Sequence, residues 1–359
     1  MILSFSGSGC GCDTMDLRII DPLTDPRWAA LAATHPKASV FHQKAWLEAL
    51  ARTYRYKLLG VTSTPLDEPL RDGIALCEVA SWITGTRAVS LPFSDHCQPL
   101  VSDDVQLSDF LQRLISESAP RHWKYVELRP RWLDGSKQQF SASQSFCFHK
   151  LDLTQPIDRL FQNLHRDSIQ RKIHRAEREG VRYETGSSEL LDDFYGLLLM
   201  TRKRHRVPAQ PRAWFQNLLQ GFGENAQIRI ARKDEIPIAA IFTLRHRSSV
   251  VYKYGCSDEK WHNLGGMPFL FWKLIEESKA SGAEELDFGR SDLDNEGLVM
   301  FKDRFGTERT SLTYFRYPCV KETRTAASAW TRRSAGRLFS IVPNALMPAV
   351  GRIVYRHIG

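Results

Sequence analysis

The run Glu284-Glu285-Leu286-Asp287-Phe288-Gly289-Arg290-Ser291 reads as a short apolar strand that ends in a glycine, an arginine and a hydroxyl. A compact helix closed by Phe305-Gly306 is predicted to follow it. Because glycine lets the backbone approach a ligand closely, this strand end predicts a binding site. Its chemical groups are the carboxylate of Asp287, the guanidinium of Arg290 and the hydroxyl of Ser291.

The same pattern occurs once more, upstream in the chain. A helix at residues 114–118 leads to a strand at 124–128, as a helix at 274–278 leads to the strand at 284–288. The second copy lies 160 residues after the first, the distance that separates Glu127 from Asp287. A repeat of this length indicates duplicated domains rather than a solenoid, whose repeats run to about 20 to 50 residues.

The composition is that of a globular protein, and its positive charge favours an anionic partner. The chain has 359 residues, enough for two domains that each bury a core, and a net charge of +8. That charge favours nucleic acid, coenzyme phosphates or acidic lipid headgroups as partners. The seven scattered cysteines lack paired zinc spacing and suit a reducing cytosol. Since no zinc motif appears, no metal is expected.

Three further motifs accompany the strand end and suggest a family. They are Tyr252-Lys253-Tyr254-Gly255, the helix start Gly265-Gly266-Met267-Pro268, and Lys302 within F-K-D-R-F-G. Together they resemble the FemAB-related acyltransferases, whose second domain is also described as a BioF2-like acetyltransferase domain. The resemblance covers about residues 145–318 and implies an α/β fold of two tandem GNAT-like domains with mixed central sheets.

The predicted division follows from the repeat and from this resemblance. Residues 15–145 form a degenerate first GNAT-like domain, 146–320 form the second, and 321–359 form a basic amphipathic tail. Met15 is a candidate start, because the patterned sequence begins at Asp16. The first residues lack the basic region and apolar core of a signal peptide, so export is not expected.

Acyl transfer to an amine requires an oriented amine, a proton acceptor and a stabilised oxyanion. Asp287 is the candidate to orient the amine or accept from it. Arg290 or Lys302 is the candidate to hold the developing negative charge or a substrate phosphate, and Tyr254 is the candidate to protonate the leaving group. The alternative for Asp287 and Arg290 is a structural ion pair. The predicted substrate contacts are Arg202, His205, Ser291, Phe305 and Gly306.

A helix start with glycines can bind an anion through its free amides. The resemblance implies that the cosubstrate binds there, and the candidate residues are His262, Asn263, Gly265 and Gly266. The GNAT turn Gln/Arg-x-x-Gly-x-Gly/Ala appears here as His262-x-x-Gly265-x-Met267. The resemblance therefore implies either acyl-CoA or aminoacyl-tRNA as cosubstrate.

Two basic segments each leave alternatives open. Residues 159–182 are a basic stretch on a predicted helix that ends at Gly180, and its arginines either form a solvated face or contact phosphates. The tail alternates apolar residues with arginines and is broken by Pro343 and Pro348. It either lies on an anionic membrane surface or packs against the enzyme.

The sequence thus predicts a cytoplasmic, monomeric N-acyltransferase or aminoacyltransferase, peripheral on the inner membrane face if the tail binds lipid. It would form an amide on an amine of a cell-envelope or exopolysaccharide precursor, either a small molecule or lipid-linked, with tRNA as a candidate partner. The alternative is a non-catalytic RNA- or membrane-binding module built on the GNAT fold.

Overall fold

The computed structural model of the protein describes residues 17–82, 85–133, 139–318 and 347–358. The strands are β1 (Arg18–Ile20), β2 (Lys57–Thr62), β3 (Ile74–Val79), β4 (Arg87–Val89), β5 (Val126–Leu128), β6 (Ser141–Asp152), β7 (Arg182–Gly186), β8 (Ala226–Lys233), β9 (Ile236–His246), β10 (Ser249–Ser257), β11 (Glu285–Asp292) and β12 (Glu308–Tyr317). The α-helices are α1 (Pro26–Thr34), α2 (Lys44–Tyr54), α3 (Asp104–Ser118), α4 (Ile157–Asn163), α5 (Arg171–Arg178), α6 (Leu191–Arg204), α7 (Arg212–Phe222), α8 (Gly266–Ala280), α9 (Glu296–Asp303) and α10 (Met347–Ile358).

All twelve strands belong to one sheet, in the order β1-β2-β3-β4-β5-β12-β6-β11-β10-β9-β8-β7. The order is that of two six-stranded halves placed edge to edge. Each half contains five strands that are consecutive in sequence and one that is exchanged. The first half takes β12, the last strand, and the second half takes β6, which follows β5 in sequence. Strand β12, the last in sequence, pairs with β5, while β6 pairs with β11 and β12. Strand β6 also crosses the predicted division between residues 145 and 146.

The strand register confirms the internal repeat. In the first half, β4 and β5 are parallel, and Val89 pairs with Glu127. In the second half, β10 and β11 are parallel, and Val251 pairs with Asp287. Glu127 and Asp287 therefore hold equivalent places in the two halves, as the spacing of 160 residues predicts.

The hydrophobic core continues across the boundary between the halves. Helix α2 of the first half packs on α7 of the second, where Trp46 and Trp214 meet edge to face at 5.1 Å between ring centroids. Both tryptophans are fully buried. Burial of an aromatic side chain contributes about 1.5 to 3 kcal/mol relative to exposure, so this shared cluster couples the stability of the two halves.

The basic segment differs from the single helix predicted to run from residue 159 to Gly180. It consists of α4, a five-residue π-helix (Arg166–Gln170) and α5, which ends just before Gly180 as predicted. The break lies at Leu164, which caps α4 in an extended conformation, and at His165, whose ring accepts a hydrogen bond from the Ser168 amide at 3.3 Å. A side chain that bonds nearby backbone competes with the helix in this way.

Helix α10 docks on the body of the protein. The Tyr355 hydroxyl donates to the Pro208 carbonyl at 2.9 Å, and the Tyr56 hydroxyl donates to the Tyr355 carbonyl. A guanidinium nitrogen of Arg87 donates to the His357 carbonyl at 2.8 Å. This described part of the tail packs against both halves, while residues 319–346 lie outside the described ranges.

Candidate functional site

A cavity of about 330 Å³ lies at the N-terminal end of α8, called here the α8 pocket. Its walls come from the end of α6, the end of β10, the turn before α8, and one side of α9. The first amides of a helix have no intrahelical partner and carry the positive end of its dipole. Five basic side chains line the pocket: Lys172, Arg204, His205, His262 and Arg304.

The glycine turn before α8 is fixed by contact with the basic helix α5. Gly265 has a φ of 80°, which favours glycine, and a Cβ there would lie 2.5 Å from the Lys172 carbonyl oxygen. The close approach that this glycine permits is therefore to the backbone of α5. It brings Lys172 to the mouth of the pocket.

In the α8 pocket, the two histidines tend toward the neutral form, whereas Arg204 carries a fixed positive charge. Burial lowers the pKa of His262 and of His205, and Arg204 adds to both shifts. The Nε2 atom of His262 lies 2.8 Å from the Ser257 hydroxyl, and Arg204 donates to the Ser257 carbonyl at 3.1 Å. Since the histidines tend toward their neutral form, Lys172, Arg204 and Arg304 supply the fixed positive charge.

A second group of side chains, called here the charged cluster, lies beside the pocket on the other side of β10. Its members are Asp95, His96, Lys253, Asp287, Arg290 and Lys302. Strands β10 and β11 pair only as far as Val251 and Asp287, and beyond that point they separate. Tyr252 lines the α8 pocket while the next residue, Lys253, enters the cluster, so β10 is the wall between them.

Asp95 occupies the gap between the separated strands. Its Oδ2 lies 3.0 Å from Lys253 Nζ, and its Oδ1 lies 3.8 Å from Arg290 Nε. Burial alone would raise the pKa of Asp95, but Lys253 and Arg290 outweigh that effect and hold the pKa below its usual value. The carboxylate therefore stays ionised at neutral pH. Arg290 pairs with Asp95, not with Asp287 as the structural alternative supposed.

Lys302 is a buried amine held by backbone oxygens. Its Nζ donates to the carbonyls of Gly289 and Arg290, each at 3.0 Å. Burial lowers the pKa of Lys302 to about 8, although Asp95 and Asp287 oppose that shift. An ammonium has three donors, so two bonds to carbonyls leave one N–H for a ligand.

Asp95 and His96 come from the first half and were given no role by the sequence. The loop that carries them returns to the end of β5, where the Cys97 amide donates to the Arg129 carbonyl at 2.5 Å. The sequence contains a Ser-Asp pair upstream of the helix in each half, Ser94-Asp95 and Ser257-Asp258, but this pattern does not reveal the role of Asp95 or His96. Lys253 was quoted within a motif, also without a role. Charged residues in a loop resemble ordinary solvent-exposed residues until the fold places them.

The predicted site residues divide among three places. His205, His262 and Gly266 line the α8 pocket, whereas Asp287, Arg290 and Lys302 belong to the charged cluster. The other predicted residues lie outside both groups.

Ser291 is buried beside β6, and Phe305 packs in the core with Phe271 and Phe288. Gly306 and Asn263 are exposed. Arg202 is half-buried near Tyr252 and Tyr355.

Tyr254 lies in the aromatic cluster that surrounds Lys253. Its hydroxyl accepts a hydrogen bond from Trp214 Nε1 at 2.9 Å, which leaves its own proton available to donate. Burial raises the pKa of Tyr254, so the phenol stays protonated. The Lys253 ammonium lies 5.6 Å from the centre of its ring.

The described residues hold neither a metal-binding group nor a membrane span. Within those ranges, no three His, Cys, Asp or Glu side chains are placed to hold a metal ion. None of the helices in the part of the chain that the structure describes is both long and apolar enough to cross a bilayer.

Comparison with known proteins agrees with this architecture. Residues 163–297 match the acetyltransferase (GNAT) domain family. The fold is similar to that of FemX, with a TM-score of 0.65 and 15% identity over 84% of this chain and 97% of FemX. It is also similar to a tandem GNAT protein from the clavulanic acid biosynthesis pathway, with a TM-score of 0.51 and 12% identity over 84% and 98% of the two chains.

A third similar structure comes from Agrobacterium fabrum. It is the C-terminal domain of a protein named a lysylphosphatidylglycerol synthetase, with a TM-score of 0.51 and 13% identity over 81% of this chain and 90% of that one. No curated protein matches the chain. The family match and these folds confirm the GNAT resemblance and the tandem architecture predicted from the sequence.

Proposed function

We propose that this chain, which carries a GNAT acetyltransferase domain within a tandem GNAT fold, transfers an acyl or aminoacyl group to an amine and forms an amide. One observation carries the proposal. A buried lysine, Lys302, keeps one N–H free beside a carboxylate, Asp95, next to a pocket of fixed positive charge. Acyl transfer needs an anionic donor held near an oxyanion-stabilising group and a group that orients the amine.

The charged cluster divides this work among its members. Asp95 accepts a hydrogen bond from the acceptor amine, a role predicted for Asp287, because Asp287 is already bonded to His96 and Gly289. As the amine attacks the acyl carbonyl, the Lys302 ammonium donates to the developing oxyanion. Arg290 supports the same charge. As the C–N bond forms, the proton that the amine loses passes to Asp95 and from there to solvent. As the bond from the acyl carbon to the thiol sulfur or ribose oxygen of the donor breaks, Tyr254 remains the candidate proton donor to that leaving group, and its phenol regains a proton from solvent.

The cosubstrate proposed for the α8 pocket is a phosphate-bearing acyl donor, either acyl-CoA or the 3′ end of an aminoacyl-tRNA. Lys172, Arg204 and Arg304 provide the charge for either. The exposed basic side chains on and before α5, Arg166, Arg171 and Arg178, would extend an anion-binding surface toward a longer RNA. The named activity of the Agrobacterium fabrum neighbour, whose product is an aminoacyl lipid, supports the aminoacyl version.

The acceptor proposed here is an amine of a cell-envelope or exopolysaccharide precursor, small or lipid-linked. The lipid-linked version is supported by the name lysylphosphatidylglycerol synthetase, which points to a lipid substrate for that neighbour. A non-catalytic RNA- or membrane-binding module is the competing function, and it would bind the donor without transferring its acyl group.

The donor is tested by calorimetry and by transfer assays with the full chain. Acyl-CoA binding is expected at micromolar Kd, about −8 kcal/mol. Changing Lys172→Gln and Arg304→Gln together should weaken binding and reduce the slope of log K against log salt by about 0.7 to 0.9 for each phosphate that is no longer neutralised. The control pair is Lys57→Gln with Lys124→Gln, exposed cations of the first half.

The outcomes separate the candidates. No heat with several acyl-CoAs, together with amide formation from charged tRNA, would eliminate the coenzyme A version. Binding of either donor without any transfer to amines would support the non-catalytic module. An unchanged salt slope in the pocket variants, equal to that of the control pair, would show that these cations do not contact phosphate.

We also propose a cytoplasmic protein that binds an anionic membrane face through α10 and the β3–β4 hairpin. Trp82 is 88% exposed on that hairpin and lies edge to face with the His357 ring at 5.9 Å. Ile353 is 63% exposed, and Arg352 and Arg356 are exposed on the same helix. Aromatic and apolar side chains flanked by arginines favour the membrane interface.

Flotation with phosphatidylglycerol vesicles tests this attachment. Trp82→Ser combined with Ile353→Ser is expected to release most of the bound protein at low salt, while the melting temperature stays within a few degrees, because both side chains are solvent-exposed. Leu66→Ser with Val105→Ser, exposed apolar residues elsewhere in the first half, provides the control. Equal binding of all variants, or binding equally strong to neutral vesicles, would contradict the proposal.

A further inference from the structure

We infer that His96 is a positioning residue for Lys302: from the first half of the chain it orients Asp287, and through Asp287 it sets the backbone carbonyls that hold the Lys302 amine. The inference rests on the proposed function, because it explains how the oxyanion-stabilising lysine is placed. His96 itself would touch no substrate.

The first step in this connection crosses between the halves. His96 is 2% exposed, and its ring lies edge to face against Phe41 and Phe148, at 5.2 and 5.6 Å between centroids. Its Nε2 lies 2.8 Å from Asp287 Oδ2. Since a carboxylate oxygen only accepts, Nε2 carries the proton that forms this bond.

The second step runs from Asp287 to the lysine. The other carboxylate oxygen, Oδ1, accepts from the Gly289 amide at 2.6 Å. The register of β11 shifts between Asp287 and Gly289, and Gly289 has a φ of 70°. This bulge turns two consecutive carbonyls, those of Gly289 and Arg290, toward Lys302 Nζ. A bulge often re-aims groups beside a functional site in this way.

Packing alone does not account for a histidine at this position. Its Nδ1 is buried without a hydrogen-bond partner among the described residues, and an unpartnered buried polar atom carries a cost of desolvation. An apolar side chain would fill the space between Phe41 and Phe148 without that cost. The bond to Asp287 is therefore the feature that distinguishes His96 from a packing residue.

The experiment follows the titration of Lys302 by NMR of ¹³C-lysine-labelled full-length protein, with its resonance assigned from its absence in Lys302→Met. The wild-type midpoint is expected at about 8. In His96→Leu, the loosened carbonyls should release the amine toward water, and the midpoint should rise by about one unit or more toward that of free lysine. His96→Gln, which can still donate to Asp287, should stay near the wild-type value.

Several other groups face Lys302 and must be unchanged in the comparison. They are Asp95 on the loop, Lys253 on β10, Asp287 and Arg290 on β11, Cys147 and His149 on β6, and Asp303 on α9. Because both variants keep these groups, a difference between His96→Leu and His96→Gln reports the hydrogen bond to Asp287. The same order is expected in kcat, with the leucine variant slower.

The inference is overturned if His96→Leu folds and keeps a midpoint near that of wild type, or if the Leu and Gln variants move it equally. His96→Asn, whose amide is too short to reach Asp287, replaces the Leu variant if that one unfolds. If neither folds, His96 holds the fold and not the lysine. The titration needs no turnover, so it stays separate from the proposed function, which fails if Lys302→Met retains full transfer.

Discussion

Residues 146–318 expressed alone are expected not to fold, although they contain the whole match to the GNAT domain family. Two features require this outcome. Removing the first 145 residues deletes β1 to β5 and shortens β6, which leaves β12 with an unpaired edge toward β5. It also exposes the face of α7 that buries Trp214 against Trp46 and Tyr54. Because a domain is stable by only roughly 5 to 15 kcal/mol, the loss of this shared core and of the strand pairing is expected to unfold the fragment.

Circular dichroism and size-exclusion chromatography of the fragment provide the measurement. Coexpression with residues 15–145 is the matched control, since it restores β5, α2 and most of the shared core. Recovery of a soluble complex only in coexpression is the expected result. A monomeric fragment with a cooperative thermal transition of its own would contradict the prediction and would make the second half an independent domain.

Lys302→Met is expected to lower kcat for amide formation by about 10² to 10³-fold, the usual effect of removing one oxyanion donor. The protein should remain folded, because the methionine fills the same buried space while losing an amine whose pKa burial already depresses to about 8. Lys57→Met, an exposed lysine on β2, is the control and should leave kcat unchanged.

The pH dependence gives a second measurement on the same residue. The ammonium form of Lys302 is the donor, so activity should fall as the pH rises through about 8. Lys302→Arg keeps its charge far above that pH and should extend activity to alkaline conditions, at a reduced rate because a guanidinium is larger. If activity falls with rising pH in the same way in wild type and in the Arg variant, Lys302 is not the group that donates to the oxyanion.

Much of the fold could be predicted because its signals are local. The helix at α8 follows from its glycine start, and the hairpin of β8 and β9 follows from two apolar runs around a turn. The duplication appears in the fixed spacing of Glu127 and Asp287, which the parallel registers confirm. By contrast, the exchange of β6 and β12 between the halves has no local signal, because strand partners are set by contacts distant in sequence.

The candidate site could be predicted only where its residues lie in a local sequence motif. Arg290 and Lys302 lie in a motif with a recognisable pattern, whereas Asp95 and His96 reach the cluster only because a loop from the first half fills the gap beyond Val251. The basic residues of 159–182 are also divided between the α8 pocket and the solvent, and the helical periodicity of the sequence does not reveal which lie where. Lys172 faces the α8 pocket, while Arg171 and Arg178 are exposed to solvent.

The exchange of strands has a consequence for biosynthesis. Strand β5 ends at Leu128, and its partner β12 begins at Glu308, so the ribosome must add about 180 residues before β5 can begin to pair with β12. At about 5 to 20 residues per second, the nascent chain exposes an open strand edge for roughly 10 to 40 s. The newborn first half thus exposes an edge of the kind that chaperones shield, and it cannot reach its native state until β12 has been synthesised.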